Sequence, residues 1–125
     1  MRTRKNQGFP IRLRHALAGL ADALRGEQSL RTQAAAAGLA LLALLVLRPA
    51  PVWWALVILA CGAVLAAELF NTAVEALADR LHPDEHPQIR LVKDCAAAAV
   101  LLAACAAVGV AAALAVELVR QRIPH

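Results

Sequence analysis

Tyrosine is absent from the 125 residues, and two Phe and two Trp supply the whole aromatic content of 3%. A lipid-facing β-barrel carries aromatic girdles and alternates apolar with polar positions, so a chain dominated by Leu and Ala argues against one. The same shortage speaks against nucleic acid as a partner. The net charge is +4, but the basic residues gather near the ends of apolar runs instead of lining a groove with stacking aromatics. No G-x-x-x-x-G-K-[ST] sequence or glycine-rich phosphate loop occurs among the six Gly, which leaves out the familiar soluble nucleotide-binding motifs. Cysteine is also scarce. Cys61, Cys95 and Cys105 lie within or beside apolar runs and lack C-x-x-C spacing; they form no disulfide framework or zinc site and read as small buried residues. Arg2, Arg4 and Lys5 are not followed by a compact apolar region with a small-residue cleavage site, so a cleaved signal peptide is not expected.

What is abundant is aliphatic. A chain that is 61% hydrophobic and only 18% charged is too apolar for a soluble domain of this length, whose core could not hide so much surface. The reading is an all-α integral membrane protein with a single domain at 9–120, a disordered basic lead at 1–8 and a tail at 121–125. Over 9–25, Ile11, Leu13, Leu17, Leu20 and Leu24 fall mainly on one side, against Arg12, Arg14, Asp22 and Arg25. That pattern predicts an amphipathic helix at the membrane surface, with packing on a soluble partner as the plainer alternative.

Three spans follow, at about 28–47, 52–79 and 91–118. The uncharged run from Ala34 to Leu47 is only about 21 Å long, so the polar approach Glu27-Gln28-Ser29-Leu30-Arg31 must continue its helix inward. Glu27 and Arg31 then read as an i, i+4 surface pair. Arg48-Pro49-Ala50-Pro51 stops the first span, and Trp53 and Trp54 anchor the start of the second at the interface. His82 and His86 lie in a proline-punctuated loop that spoils a helical metal-binding arrangement. The last run, Cys95 to Val116, is about 33 Å long, enough to span. Most Lys and Arg lie before the first span or in the second loop, which puts the N-terminus and the His82 loop in the cytoplasm.

At about 100° per residue, Glu68, Asn71, Thr72, Glu75 and Asp79 project at about 0°, 300°, 40°, 340° and 20°. Three carboxylates, an amide and a hydroxyl therefore share one stripe at the end of a membrane-length helix, where acids are costly and face a protein interior, a cleft or a cation. Glu27 and the pair Lys93-Asp94 converge on the same boundary. Hard carboxylate oxygens beside a lysine suit Mg²⁺ carrying a polyphosphate. A remaining carboxylate can take the proton of a hydroxyl nucleophile. A small transporter or proton relay and a structural scaffold stay open on these residues alone.

Glu68-x-x-Asn71-Thr72-Ala73-x-Glu75-x-x-x-Asp79, followed by Lys93-Asp94-x-Ala96-Ala97, resembles the prokaryotic diacylglycerol kinase family of small membrane lipid kinases, which includes undecaprenol kinases. The likeness runs from about Leu13 to Leu118 and takes in Ala16-x-x-Gly19 and Glu27-x-x-x-Arg31. It implies a homotrimer in the bacterial inner membrane, working with Mg²⁺ and ATP on diacylglycerol or undecaprenol at sites between subunits. By position, Glu68 resembles the base on the lipid hydroxyl and Asn71 its polar partner, Glu27 and Glu75 the acids at metal and ATP, and Asp79, Lys93 and Asp94 nucleotide-site residues. His86 matches a position near the nucleotide base. Gln33 replaces an acid and Ala97 a serine found in some members, and no tyrosine is available for substrate contact.

Overall fold

A computed structural model describes residues 8–84 and 86–123. Most of the basic lead, Glu85 of the second loop and the last two residues of the tail lie outside the described residues. The chain forms four helices: α1 (Phe9–Gly26), α2 (Gln28–Leu47), α3 (Pro51–Leu81) and α4 (Pro87–Arg120). Proline sits in the first turn of α1, α3 and α4, where its missing N–H costs nothing and its fixed φ suits the helix. Arg48 closes α2 in the left-handed region at φ 48° and ψ 52°. Pro49 and Pro51 then turn the chain into α3. Short links on both sides of α3 make α2, α3 and α4 run alternately up and down, and α3 pairs most extensively with α4.

Three helices, α2, α3 and α4, are long and apolar enough to cross a membrane. Their surfaces agree. Leu59 is 71% exposed and Leu101 64%, and the accessible area of 9740 Å² compares with about 6,400 Å² for a compact soluble protein of this mass. Lipid is the solvent that makes such a surface stable, which identifies an integral membrane protein. A small apolar cluster of Leu44, Val57 and Leu114, with Trp53 and Trp54 packed on it, joins the three spans near their far end.

Two boundaries move from the sequence reading. Helix α3 runs on to Leu81, and α4 starts at Pro87 instead of near Leu91. At 1.5 Å per residue they are about 46 Å and 51 Å long, well beyond a core of about 30 Å. The hydropathy that marks a span ends where lipid ends, whereas the helix continues on polar i, i+4 pairs. The cysteine reading is corrected as well: Cys61 is half-buried, while Cys95 and Cys105 lie exposed on α4, because an outer face bathed in lipid accepts a small apolar side chain as readily as a core does.

Candidate active site

Glu68 is the buried charged residue among those described, at 4% exposure. Its Oε2 accepts a 3.3 Å hydrogen bond from Ser29 Oγ, 39 residues away in the first turn of α2. Burying a carboxylate is unfavourable without such a donor. One turn along the same face, Asn71 Nδ2 donates to Glu75 Oε1 at 3.1 Å. An ionised Glu accepts only, so the amide offers its NH₂ there and turns its oxygen away. Asn71 Oδ1 is thereby left buried with no hydrogen-bond partner. Buried acceptors of that kind are uncommon and point to a ligand, ion or water that completes them.

Below Glu68 an apolar groove of about 340 Å³ runs between α2, α3 and α4, lined by small residues such as Ala36, Ala40, Ala60 and Ala107. Val64 and Gln33 also line it; they stand one turn from Glu68 and from Ser29. Leu44, Val57 and Leu114 line its far part. The Ser29–Glu68 bond therefore lies at the polar mouth of a groove whose walls are almost wholly hydrocarbon.

Beyond the other end of the stripe, the α3–α4 hairpin carries an open cleft of about 660 Å³ lined by Asp79, His82, His86, Arg90, Lys93 and Asp94 among others. Lys93 Nζ donates to Asp79 Oδ1, a contact that ties α4 to α3. Arg90 pairs with Asp94 across one helical turn at 3.7 Å, both well exposed. His86 caps α4, its Nδ1 accepting from Gln88 N at 3.2 Å. That contact fixes the imidazole at the edge of the cleft.

The sequence-derived residues thus fall into two groups. Glu68, Asn71 and Glu75 share the buried end; Asp79, Lys93, Asp94 and His86 share the cleft. Glu27 stands apart as the N-cap of α2, half-buried, and its carboxylate makes no cap hydrogen bond. The expected Glu27–Arg31 pair does not form. Glu27 has extended backbone, φ −107° and ψ 119°, so it is not on the helix whose spacing would bring the two together. Arg31 instead donates to Leu24 O at 3.3 Å and Arg25 O at 2.9 Å, satisfying carbonyls left over at the end of α1. Among the described residues no three His, Cys, Asp or Glu side chains are grouped to hold a metal by themselves. Ser29 was not singled out by sequence reasoning; the one signal for it was a hydroxyl beside Glu27 in the polar approach to the first span.

Known proteins resemble this chain. Residues 14–115 match the family described as prokaryotic diacylglycerol kinase. The chain is 33% identical over 86 residues to the undecaprenol kinase of Bacillus subtilis (strain 168), covering 69% of this chain and 70% of that protein.

Proposed function

The chain belongs to the prokaryotic diacylglycerol kinase family, a family of membrane lipid kinases, and on that premise we propose that it transfers the γ-phosphoryl group of ATP to the hydroxyl of diacylglycerol, giving phosphatidic acid. The observation that carries the reading is Glu68: a buried carboxylate at the mouth of an apolar groove, with a basic and acidic cleft farther along the same helix. A lipid alcohol needs just this division, because its chains require hydrocarbon walls while its hydroxyl must meet a charged phosphate donor.

In this mechanism the lipid chain lies in the groove and its hydroxyl reaches Glu68, which accepts the proton as the oxygen attacks the γ-phosphorus. The new O–P bond forms while the bond to the β,γ-bridging oxygen breaks, and ADP leaves with that electron pair. Lys93, steadied by Asp79, neutralises charge on the phosphates. Asp94 and His86 border the nucleotide in the cleft, and Asn71 orients Glu75. Mg²⁺ usually takes one or two protein carboxylates and completes its shell with phosphates and water. Glu75, Glu27 and the unpartnered Asn71 Oδ1 are oxygens suited to that role, and no cluster of three protein ligands is needed. Bound there, Mg²⁺ would offset phosphate charge.

The proposal includes a homotrimer, with the small-residue faces Ala96 to Ala99 and Ala103 to Ala107 on α4 allowing close approach, and α1 lying on the membrane surface. It places the stripe on the cytoplasmic side of the inner membrane, as the positive-inside bias of the loops supports. Undecaprenol is the second reading for the acceptor, favoured by the similarity to a kinase of that name. Purified protein in lipid vesicles with labelled ATP and Mg²⁺ tests both. Labelled phosphatidic acid supports the first reading and labelled undecaprenyl phosphate the second. Ion flux without labelled lipid from either acceptor would favour a transporter and overturn the kinase reading.

A further inference from the structure

We propose that Ser29 is the positioning residue for Glu68, its hydroxyl fixing which carboxylate oxygen faces the groove and coupling the aim of the base to the seating of α2 on α3. The proposal rests on Glu68 being the base. A glutamate has three side-chain torsions, and among the described residues the Ser29 contact is the one side-chain hydrogen bond to this one. Among the described residues no cation lies within ion-pairing distance of Glu68. Several charges of the surrounding helices are engaged elsewhere: Arg25 with Asp22 on α1, Arg31 with the carbonyls that end α1, Lys93 with Asp79, and Asp94 with Arg90. On α3 itself, Glu75 is occupied by Asn71.

Ser29 Oγ is thus the donor that meets the carboxylate. Its position in the first turn of α2 adds the favourable end of the helix dipole to the same anion. Since Oε2 takes the Ser29 hydrogen and no described side chain donates to Oε1, Oε1 is the oxygen left to receive the lipid proton. A carboxylate released from this contact can rotate, and a reacting atom misplaced by an ångström loses rate rather than binding. Ser29 therefore acts on turnover through Glu68, without touching nucleotide.

The test compares S29A, S29T and E68Q in vesicles. S29A should lower kcat roughly tenfold, the effect of losing one weak bond to a charged group, with KM for ATP and for lipid within about twofold of wild type. S29T should recover most of the rate, and S29A added to E68Q should cost nothing further, because the two act as a unit. A second readout needs no turnover. The side-chain carboxyl carbon of labelled Glu68, assigned by its loss in E68Q, should shift in S29A and stay in place in S29T. S29A with wild-type kcat, or with an unmoved Glu68 resonance, would overturn the proposal. Failure of the wild-type chain to label either lipid would instead overturn the kinase reading, and the resonance would still decide whether Ser29 holds Glu68.

Discussion

Glu68 and Asp79 lie on one face of α3 about 16 Å apart along its axis, yet their surroundings differ in kind. Glu68 is 4% exposed and meets a neutral hydroxyl. The side chain of Asp79 is 65% exposed and meets the ammonium group of Lys93, whose side chain is 35% exposed. Exposed ion pairs add only about 0–1 kcal/mol to a fold, so Asp79–Lys93 does little to hold α3 to α4, Arg90–Asp94 adds as little within α4, and both leave their charges accessible. A buried carboxylate is the reverse. It opposes folding unless satisfied, and an apolar residue there would serve the helix bundle better, so its presence speaks for chemistry. Under the proposed mechanism the stripe joins one position kept for a proton to others kept for charge.

Lys93→Met sharpens that contrast most at the open end. It keeps the length of the side chain and removes the cation, so kcat/KM for ATP should fall roughly hundredfold, the cost of losing one charged stabiliser of the transition state, while circular dichroism and oligomer size stay the same. Equal turnover by the variant would separate the cleft from the nucleotide. Ala60→Phe probes the buried end. Its ring would occupy the groove beneath Glu68, and KM for the lipid should rise roughly tenfold with KM for ATP unchanged, since the ring displaces lipid chain whose burial contributes about 0.8 kcal/mol per methylene. A rise in the ATP value instead would mean that the two regions do not divide the substrates. The smallest effect belongs outside both. Arg48→Gly relieves a left-handed backbone at the α2–α3 turn and should stabilise the protein by roughly 0.5–1 kcal/mol, a few degrees in Tm, with activity untouched.

The two regions were not equally legible in the sequence. The stripe could be read from 3.6-residue periodicity because all its members lie on one helix, and the first span, residues 28–47, matched α2 end to end. Contacts between helices were hidden. Asp79 with Lys93 requires the hairpin to close across 14 residues, and Ser29 with Glu68 requires α2 to dock across 39. Helix lengths were underestimated where hydropathy falls: α4 begins in the proline-punctuated polar stretch, where the His86 cap and the Arg90–Asp94 pair leave no apolar trace, and α3 outruns its span by Arg80 and Leu81 alone. Arg31 was misjudged for a local reason. Gly26 and the extended Glu27 break the helix just before it, so the arginine turns back to cap α1.

The most direct measurement is single-turnover transfer of labelled phosphate to diacylglycerol, and to undecaprenol in parallel, by wild type and Glu68→Gln at saturating Mg-ATP. The substitution keeps the volume of Glu68 and removes its basicity, so the protein should stay folded and nucleotide binding unchanged. The rate of lipid labelling should fall by roughly a thousandfold, the range expected for a lost general base. A folded Glu68→Gln protein that labels lipid at the wild-type rate would contradict the role given to this carboxylate.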